Sequence, residues 1–449
     1  MTIQEFGRRL RAREITSEQI TDACLERIEA DNPRLNAFIL VMADQARRQA
    51  READRELAAG RHRGPLHGVP ISVKDIIDVN GTPTTAASRV REGHVASRDA
   101  AVITRLRAAG AVLIGKTNLH EFALGTTNED SAFGPARNPH DPTRSPGGSS
   151  GGSAASVAAG MALASIGTDT GGSIRIPAAA CGIVGLKPAY GEVPTDGVVP
   201  LSHTLDHVGP LARSVADAAI VYRALAGQSP AESPAPASPR GPKLAVLRSY
   251  FCDLLDEEVR ARFEEALDGL QAAGVQMETA EIPHAPDIAS IYLRIAPPEA
   301  AAHHAATLEN MPERYTTPVR ERLEAGRTVS ADDYVRALSE RQVLKREVSA
   351  ALAGCNALVL PTLPIPAPLF GADTARVGGT DVPLRSLMLR LTQLFNLTGH
   401  PAIGLPAGAT VSGLPCSLQL VGLDTEALLR VALACEDHVS RGVGLKFEV

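Results

Sequence analysis

The chain has 449 residues, of which 44% are apolar and 21% charged, an ordinary composition for a globular protein with a large core. Its formal net charge is −6, no basic block stands out, and aromatic residues make up only 3% with no tryptophan, which argues against a nucleic-acid partner. No uninterrupted apolar run approaches the roughly 20 residues of a membrane helix, and the first residues lack a signal-peptide pattern. We therefore expect no membrane association and a cytoplasmic location.

The cysteine and histidine patterns do not suggest a metal site or a cofactor. The six cysteines form no C-x-x-C pair, so we expect buried free thiols in a reducing compartment. His203 and His207 are four residues apart and are candidates for a metal pair, but no third ligand accompanies them. Ordinary loop histidines are the better interpretation, and we expect neither a metal nor a cofactor.

The first part of the chain predicts helices followed by an alternation of strands and helices. Residues 1–60 read as helices, with Thr16 and Ser17 as capping residues and a charged helix over 42–59. Short apolar runs bounded by turn residues then predict strands, and helical stretches lie between them. The predicted strands are 69–73, 111–114 and 162–166, and the predicted helices are 99–109 and 151–160.

The second part of the chain continues the same pattern after a Pro-rich stretch. Residues 228–242 predict an exposed loop rather than a domain boundary, because the strand–helix–strand pattern over 244–279 would extend the same sheet. Residues 290–350 look helical and amphipathic, and are candidates for a cap over the active site. Strands at 357–360 and 417–421 and a last helix over about 424–440 follow. We predict an α/β protein with a mixed sheet and helices on its faces.

Two glycine–serine blocks and one lysine carry the chemistry that the sequence suggests. The blocks run over 147–153 and 167–175, and each places a serine beside backbone that glycine leaves open. Lys74 directly follows the apolar run 69–73. Two serines and one lysine suffice for a hydrolase that uses neither histidine nor metal.

Three other interpretations of these segments are weaker. Residues 110–117 match the P-loop pattern, but their four middle residues are themselves the predicted strand. Residues 147–151 match a nucleophile elbow around Ser149, but loop sequence rather than a strand precedes them. A flexible linker explains neither the small-residue helix after Ser153 nor the charges of Asp169 and Arg175, which are able to pair.

Hydrolysis by a serine places requirements on these residues. A serine attacks a carbonyl carbon efficiently only if its proton is removed as the bond forms, and a lysine accepts that proton only when it is uncharged. Burial at the end of a strand would lower the pKa of Lys74 from its reference value of roughly 10.4. The oxyanion needs fixed donors, for which the backbone N–H groups of Thr170, Gly171, Gly172 and Ser173 are the candidates.

The sequence resembles the amidase signature family, most densely over 64–213. The matching segments are 68–75, 115–123, 131–134, the two glycine–serine blocks and 181–188, with weaker similarity over nearly the whole chain. The resemblance implies a single α/β domain over 1–449, with a large mixed twisted sheet surrounded by helices.

The resemblance also implies roles for individual residues. Ser173 would be the nucleophile, Lys74 the general base and Ser149 the bridging serine, which follows a cis peptide bond in the family. Family position implies an acyl pocket near Ala123, Leu124 and Gly125. The expected supporting residues are Ser150, Asp169 and Arg175.

Two branches of the family are distinguished by the segment after 181–188. Residues 190–195 read Y-G-E-V-P-T, which departs from the Y-G-R-V-S-R usual in the A-type glutaminase component of glutamyl-tRNA amidotransferase, and 197–206 look like the stand-alone amidases. We expect a monomeric or homodimeric hydrolase of small, largely apolar amides or carbamates, with esters also possible substrates. The glutaminase component of an amidotransferase and a non-catalytic component that keeps the fold remain the alternatives.

Overall fold

The computed structural model describes residues 1–228 and 241–439, and its centre is one twisted sheet of eleven strands. Their order is β1-β3-β2-β4-β6-β5-β12-β13-β9-β7-β8, with β10 and β11 forming a separate hairpin. The sheet is mixed. Strand β2 runs parallel to β3 and β4, whereas β6, β5, β12 and β13, which are consecutive in this order, pair antiparallel. The strands are β1 (Phe38–Val41), β2 (Pro70–Lys74), β3 (Val112–Thr117), β4 (Ala164–Asp169), β5 (Val184–Lys187), β6 (His207–Ala212), β7 (Lys243–Leu247), β8 (Gln276–Ala280), β9 (Ala357–Pro361), β10 (Thr374–Val377), β11 (Thr380–Pro383), β12 (Ala402–Ala409) and β13 (Pro415–Val421).

Helices surround this sheet, and short 3-10 turns connect several of them. Helix α5 packs against β2 and β4, and α9 packs against α11 and α12. The helices are α1 (Ile3–Arg11), α2 (Ser17–Leu35), α3 (Ala43–Ala58), α4 (Ala101–Ala108), α5 (Gly151–Ala158), α6 (Arg175–Cys181), α7 (Val215–Ala226), α8 (Glu257–Ala272), α9 (Ile288–His303), α10 (Ala305–Asn310), α11 (Thr317–Gly326), α12 (Ala331–Ala351), α13 (Leu384–Leu389), α14 (Gln393–Thr398) and α15 (Thr425–Val439).

Local sequence signals account for several element boundaries. Thr16 caps α2 with a reciprocal pair of hydrogen bonds, because its side chain accepts from the N–H of Gln19 and its own N–H donates to the Gln19 side chain. The P-loop interpretation is excluded, since Val112–Thr117 is a buried strand. No strand lies within 138–146 before Ser149, which also removes the context that a nucleophile elbow needs.

The structure corrects one expectation about the outer parts of the fold and adds one element. Residues 1–60 are not helical throughout, because Phe38–Val41 forms an edge strand antiparallel to β3. The hairpin of β10 and β11 was not predicted, although Gly378 and Gly379 form its two-residue turn with φ of +57° and +81°. The predicted loop at 228–242 falls mainly outside the described residues.

Two other expectations are confirmed, namely the extension of the sheet after the Pro-rich stretch and the free cysteines. Strands β7 and β8, which follow the Pro-rich stretch, extend the same sheet at one end. All six cysteines are free, and five of them are buried. Across 1–228 and 241–439, no helix combines the length and apolar character needed to cross a bilayer. The same ranges contain no group of three or more His, Cys, Asp or Glu side chains arranged to hold a metal.

The parallel strands bring the segments of interest to one edge of the sheet. Lys74 is the last residue of β2, and Asp169 is the last residue of its parallel neighbour β4. Helix α5 begins at Gly151, directly after Ser149 and Ser150. The lysine and both glycine–serine blocks therefore meet where β2 and β4 end.

Candidate active site

Lys74 is buried at the centre of the site and contacts hydroxyl groups. Its side chain is fully buried, and Nζ donates to Ser149 Oγ at 2.8 Å and to Thr168 Oγ1 at 2.7 Å. The first contact joins two of the predicted catalytic residues, which are 75 positions apart in the chain. The second contact involves a threonine to which the sequence analysis gave no role.

Two of the carboxylates near Lys74 are engaged by other cations. The neighbouring Asp75 pairs with Lys116, with 2.7 Å between Oδ1 and Nζ, and Asp169 pairs with Arg175. Within the described residues, Lys74 forms no ion pair of its own. Burial lowers the pKa of Lys74 to about 7, only partly opposed by the charges of Asp169 and Asp206. At neutral pH, Lys74 is therefore uncharged in a large fraction of the molecules.

Asp169 and Arg175 form a buried ion pair that holds the second glycine–serine block, which confirms that these two charges pair. Arg175 Nη2 lies 3.1 Å from Asp169 Oδ1, and both side chains are fully buried. Asp169 also accepts from the N–H groups of Gly172 and Ile174, at 2.8 and 3.1 Å. Burial alone would raise the pKa of Asp169, but Arg175 and the Asn396 amide outweigh it and hold that pKa below its usual range.

The tight turn at Gly172 corrects one of the expected oxyanion donors. Gly172 has φ of +134°, a conformation that favours glycine, and an added Cβ would lie 2.2 Å from Thr392 Oγ1. Its N–H donates to Asp169, so this donor is occupied. Among the described residues, the N–H groups of Thr170, Gly171 and Ser173 have no such partner. Asp206 fixes Thr170 by accepting from its hydroxyl at 2.6 Å.

Ser149 and Ser150 connect the first block to the second. The peptide bond between Gly148 and Ser149 is cis, as the resemblance implies. Ser150 N–H donates to the carbonyl of Ser173 at 3.2 Å, and Ser150 Oγ donates to the carbonyl of Thr168 at 3.2 Å. In the described part of the chain, the hydroxyls of Ser149 and Ser173 share no hydrogen bond. The structure thus links Lys74 to Ser149 directly, and links Ser173 to this pair through the backbone of Ser150.

The chain as a whole is similar to proteins of a known family. The amidase family model matches residues 19–426. The chain is 40% identical to an amidase from Pseudomonas putida, over 97% of this chain and 95% of the relative. The chain belongs to the amidase signature family. It is also 40% identical, with the same coverages, to the A-type component of the glutamyl-tRNA(Gln) amidotransferase of Anaeromyxobacter sp. (strain K).

A solved structure of this family agrees with the fold. It is described as a crystal structure of an amidase, has 39% sequence identity, and superposes with a TM-score of 0.92 over 98% of this chain and 100% of that one. The single α/β domain with its large mixed sheet is therefore the fold of the amidase signature family, and the chain is a hydrolase of that family.

A narrow pocket opens at Ser173 of this family member. The segment 123–125, expected to form an acyl pocket, contributes to its wall beside Thr170 and Gly171. Helix α9, from the predicted cap segment 290–350, contributes Tyr292, Ala296 and Pro297. The remaining lining residues are Thr126, Leu201, Arg385 and Leu389.

The sequence analysis missed three residues of this site. Thr168 stands inside the second block, between Gly167 and Asp169, and its position there was the available signal. Asn396 bridges Asp169 and Arg175 from a segment more than 200 residues away, for which the sequence gave no signal. Arg385 lies in the pocket wall although it comes from the short helix α13.

Proposed function

We propose that the chain is a serine hydrolase that cleaves the C–N bond of small amides through an acyl-enzyme. Ser173 is the nucleophile, Ser149 the proton relay and Lys74 the base. The observation that carries this proposal is the buried lysine whose amine contacts the Ser149 hydroxyl and lacks a carboxylate partner in the described ranges. Such a lysine is able to be uncharged near neutral pH, as a general base must be.

The acylation step follows from these positions. Neutral Lys74 takes the proton of Ser149 while Ser149 takes that of Ser173, and Ser173 Oγ forms a bond to the amide carbon. The N–H groups of Thr170, Gly171 and Ser173 are the donors proposed to stabilise the oxyanion, at roughly 3–4 kcal/mol each. Collapse breaks the C–N bond, and the proton passes from Lys74 through Ser149 to the departing amine. Water then repeats the sequence on the acyl-enzyme and releases the acid.

The relay requires a hydrogen bond between the hydroxyls of Ser149 and Ser173, which do not share one in the described structure. A serine hydroxyl rotates between staggered positions at little cost, so this bond needs only a side-chain rotation. The Ser150-to-Ser173 backbone contact supports this proposal, since it keeps the two segments adjacent.

The pocket supports small substrates with a largely apolar stem. Most of its wall is made of Ala, Leu, Gly and Pro residues, and α9 lies on one side. We propose small aliphatic or aryl amides as substrates, with carbamates and esters of similar size cleaved by the same residues. When the alcohol of an ester is a good leaving group, the cleavage rate depends less on the proton that Lys74 returns.

A second candidate function is the glutaminase step of an amidotransferase. It is supported by the 40% identity to an amidotransferase component over nearly the whole of both chains. Assays of the purified chain alone on model anilides and carbamates separate the two candidates. Turnover without partners supports a stand-alone hydrolase, whereas hydrolysis of glutamine only after partner proteins are added supports the glutaminase. A protein inactive in both assays would be a non-catalytic component.

The nucleophile is tested by covalent labelling. A fluorophosphonate should label the wild-type chain with a stoichiometry near one, and Ser173→Ala should lose both the label and all turnover, because no other serine attacks the probe. Ser249→Ala is the matched control, since that serine is exposed and does not line the pocket, and it should be labelled as wild type is. Mass spectrometry reports the labelled residue, and a label that survives in Ser173→Ala would place the nucleophile elsewhere.

A further inference from the structure

The pocket at Ser173 contains one cationic side chain that has no acidic partner. Arg385 is the only charged residue in the pocket wall as the structure describes it, and it is only partly exposed. Its Nη1 donates to the carbonyl of Leu124 at 3.3 Å, and among the described residues it forms no ion pair. A guanidinium carries five N–H donors in a rigid fork, so most of its donors remain available inside the pocket.

A second guanidinium converges on the same carbonyl oxygen. Arg322 of α11 donates to Leu124 O at 3.0 Å, so the two cations are close neighbours. The carboxylate in reach is Asp130, whose Oδ2 lies 3.6 Å from Arg322 and 3.0 Å from His120 Nε2. Burial lowers the pKa of His120 to about 4, so this histidine is neutral at pH 7. Among the described residues, the Asp130 carboxylate contacts the guanidinium of Arg322 and not that of Arg385, so the wall keeps an uncompensated positive charge at Arg385.

The free-energy cost of keeping Arg385 unpaired indicates that its guanidinium binds an anionic ligand. Burial and the neighbouring Arg322 both disfavour the charge on Arg385 and lower its pKa to about 10, at which it is still charged near pH 7. An unpaired charge with little access to water is expensive unless a ligand neutralises it. The fork geometry of a guanidinium matches a carboxylate through two parallel hydrogen bonds.

We propose that Arg385 binds a carboxylate at the far end of the substrate's acyl group, so that the enzyme prefers monoamides of short dicarboxylic acids. This rests on the proposed function at Ser173. The acyl half is favoured because Arg385 and Ser173 line one narrow pocket, in which the acyl group stays through both chemical steps while the amine leaves. The apolar wall between them accommodates the methylene stem.

The pocket also separates this substrate class from glutamine. Glutamine has the same carbon skeleton as glutaramic acid but adds an ammonium group beside the carboxylate. None of the described side chains that line the pocket is acidic, so that ammonium would lose its hydration without gaining a partner. We therefore expect glutaramate to be a better substrate than glutamine.

Three matched primary amides test the proposal: glutaramate, pentanamide, which carries a methyl group in place of the carboxylate, and glutamine. The wild-type kcat/KM for glutaramate should exceed that for pentanamide by about 10- to 100-fold, the effect of a charge-assisted hydrogen-bonded pair. Glutamine should be cleaved more slowly than glutaramate. A wild-type enzyme that treats glutaramate and pentanamide alike, or that prefers glutamine, overturns the proposal.

Variants assign the preference to Arg385. Arg385→Met should bring the glutaramate-to-pentanamide ratio close to one, and Arg385→Lys, which keeps a charge without the fork, should retain an intermediate ratio. Arg376→Met is the matched control, because that arginine is exposed on the hairpin just before α13, and it should keep the wild-type ratio. A ratio unchanged in a folded Arg385→Met or in Arg385→Lys would show that another group makes the preference.

Binding separates this proposal from the catalytic one. Calorimetry with Ser173→Ala measures the affinity of glutaramate and pentanamide without turnover, and glutaramate should bind more tightly by a similar factor. If the wild type cleaves no amide while this preference persists, the proposed hydrolysis fails and the carboxylate site stands. If the wild type cleaves both amides and the affinities are equal, the carboxylate site fails and the hydrolase stands.

Discussion

At the scale of single residues, the partners of three buried cations indicate which of them takes part in catalysis. Lys116 is neutralised by Asp75, and Arg175 is neutralised by Asp169, so both serve the structure. Lys74 meets only hydroxyl groups among its hydrogen-bond partners in the described residues. A buried ammonium without a counter-charge readily gives up its proton. Lys74 is suited to act as a base because it also contacts a serine hydroxyl, whereas the equally buried Lys187 donates to carbonyl oxygens.

The pH dependence of the rate follows from the pKa of Lys74. The uncharged amine is the active form, and burial places its pKa at about 7, so kcat/KM for an amide should rise with pH and reach half its maximum near pH 7. Rates measured across the range from about two units below to about two units above that pKa check this, with circular dichroism to confirm that the fold persists. A flat profile, or a rate that rises as the pH falls, would contradict a lysine base.

The second prediction at this scale concerns the leaving group. Lys74→Ala should lower the hydrolysis of an anilide by about 10²- to 10⁴-fold, and that of the matched phenyl ester by less, because the amine must be protonated as it leaves. Lys116→Ala is the control, since that lysine is equally buried but paired with Asp75. It should lower both rates in equal proportion, through loss of folded enzyme. Equal losses in Lys74→Ala would argue against the relay.

At the scale of elements, glycine permits the close packing that brings the first block to the sheet. Gly152, in the first turn of α5, lies against two backbone segments, and an added Cβ would be 2.5 Å from the carbonyl oxygens of Ala37 and Asn118. Neither backbone segment is able to move like a flexible side chain. The position of α5, and with it the position of Ser149, depends on the absence of a side chain here.

Substitution of this glycine should therefore be costly. Gly152→Ala should lower the free energy of unfolding by about 1–3 kcal/mol, the usual cost of overpacking, and should also lower activity. Gly7→Ala is the matched control, because its Cβ would have no contact shorter than 3.5 Å and alanine favours a helix. Urea denaturation of both variants measures the difference, and a Gly152→Ala chain as stable as wild type would contradict this account of the packing.

Elements were predictable where their own sequence carries the signal. Strands β2, β3 and β4 and helices α3 and α8 were expected within a few residues of their observed bounds, because each is an apolar run or a periodic stretch bounded by turn residues. Strand β1 was missed because four apolar residues between two helices carry no helix or strand period. Its conformation is decided by pairing with β3, which is more than 70 residues later in the chain.

At the scale of the whole molecule, the two ends of the described chain meet on one helix. Asp217 of α7 accepts from the N–H of Ile3 at 3.0 Å, and Glu436 of α15 accepts from the N–H of Val215 at 2.8 Å. Burial raises the pKa of Asp217 to about 6 and that of Glu436 to about 7, and the nearby charges of Asp437 and Asp217 add to the effect on Glu436. Both ends of the described chain are therefore held by carboxyl groups whose ionised form is disfavoured by burial.

This contact makes global stability depend on pH. A carboxyl group whose pKa is higher in the folded than in the unfolded chain costs stability as the pH rises from about 4 through about 7. Glu436→Gln keeps an acceptor for Val215 but cannot ionise, so it should be more stable than wild type at about pH 8, by on the order of 1 kcal/mol, and lose most of this advantage at about pH 5. Thermal unfolding at both pH values measures the difference.

A distant acidic residue provides the comparison for that measurement. Glu321 is exposed on α11, and Glu321→Gln should change stability equally little at the lower and the higher pH. If Glu436→Gln behaved in the same way, the carboxyl of Glu436 would not be strained by burial, and the docking of α15 on α7 would not depend on its protonation.

The sequence by itself determined the chemical types and their local settings. Lys74 after an apolar run, two serines in glycine-rich blocks and a paired Asp169 and Arg175 are all readable from the order of residues, because each is set by its immediate neighbours. Only the tertiary structure decided that the N–H of Gly172 is occupied, that Thr168 is the second partner of Lys74, and that Arg385 faces the pocket. Those facts depend on distances between segments that lie far apart in the chain, and such distances are fixed by how strands pair and helices pack rather than by any local pattern.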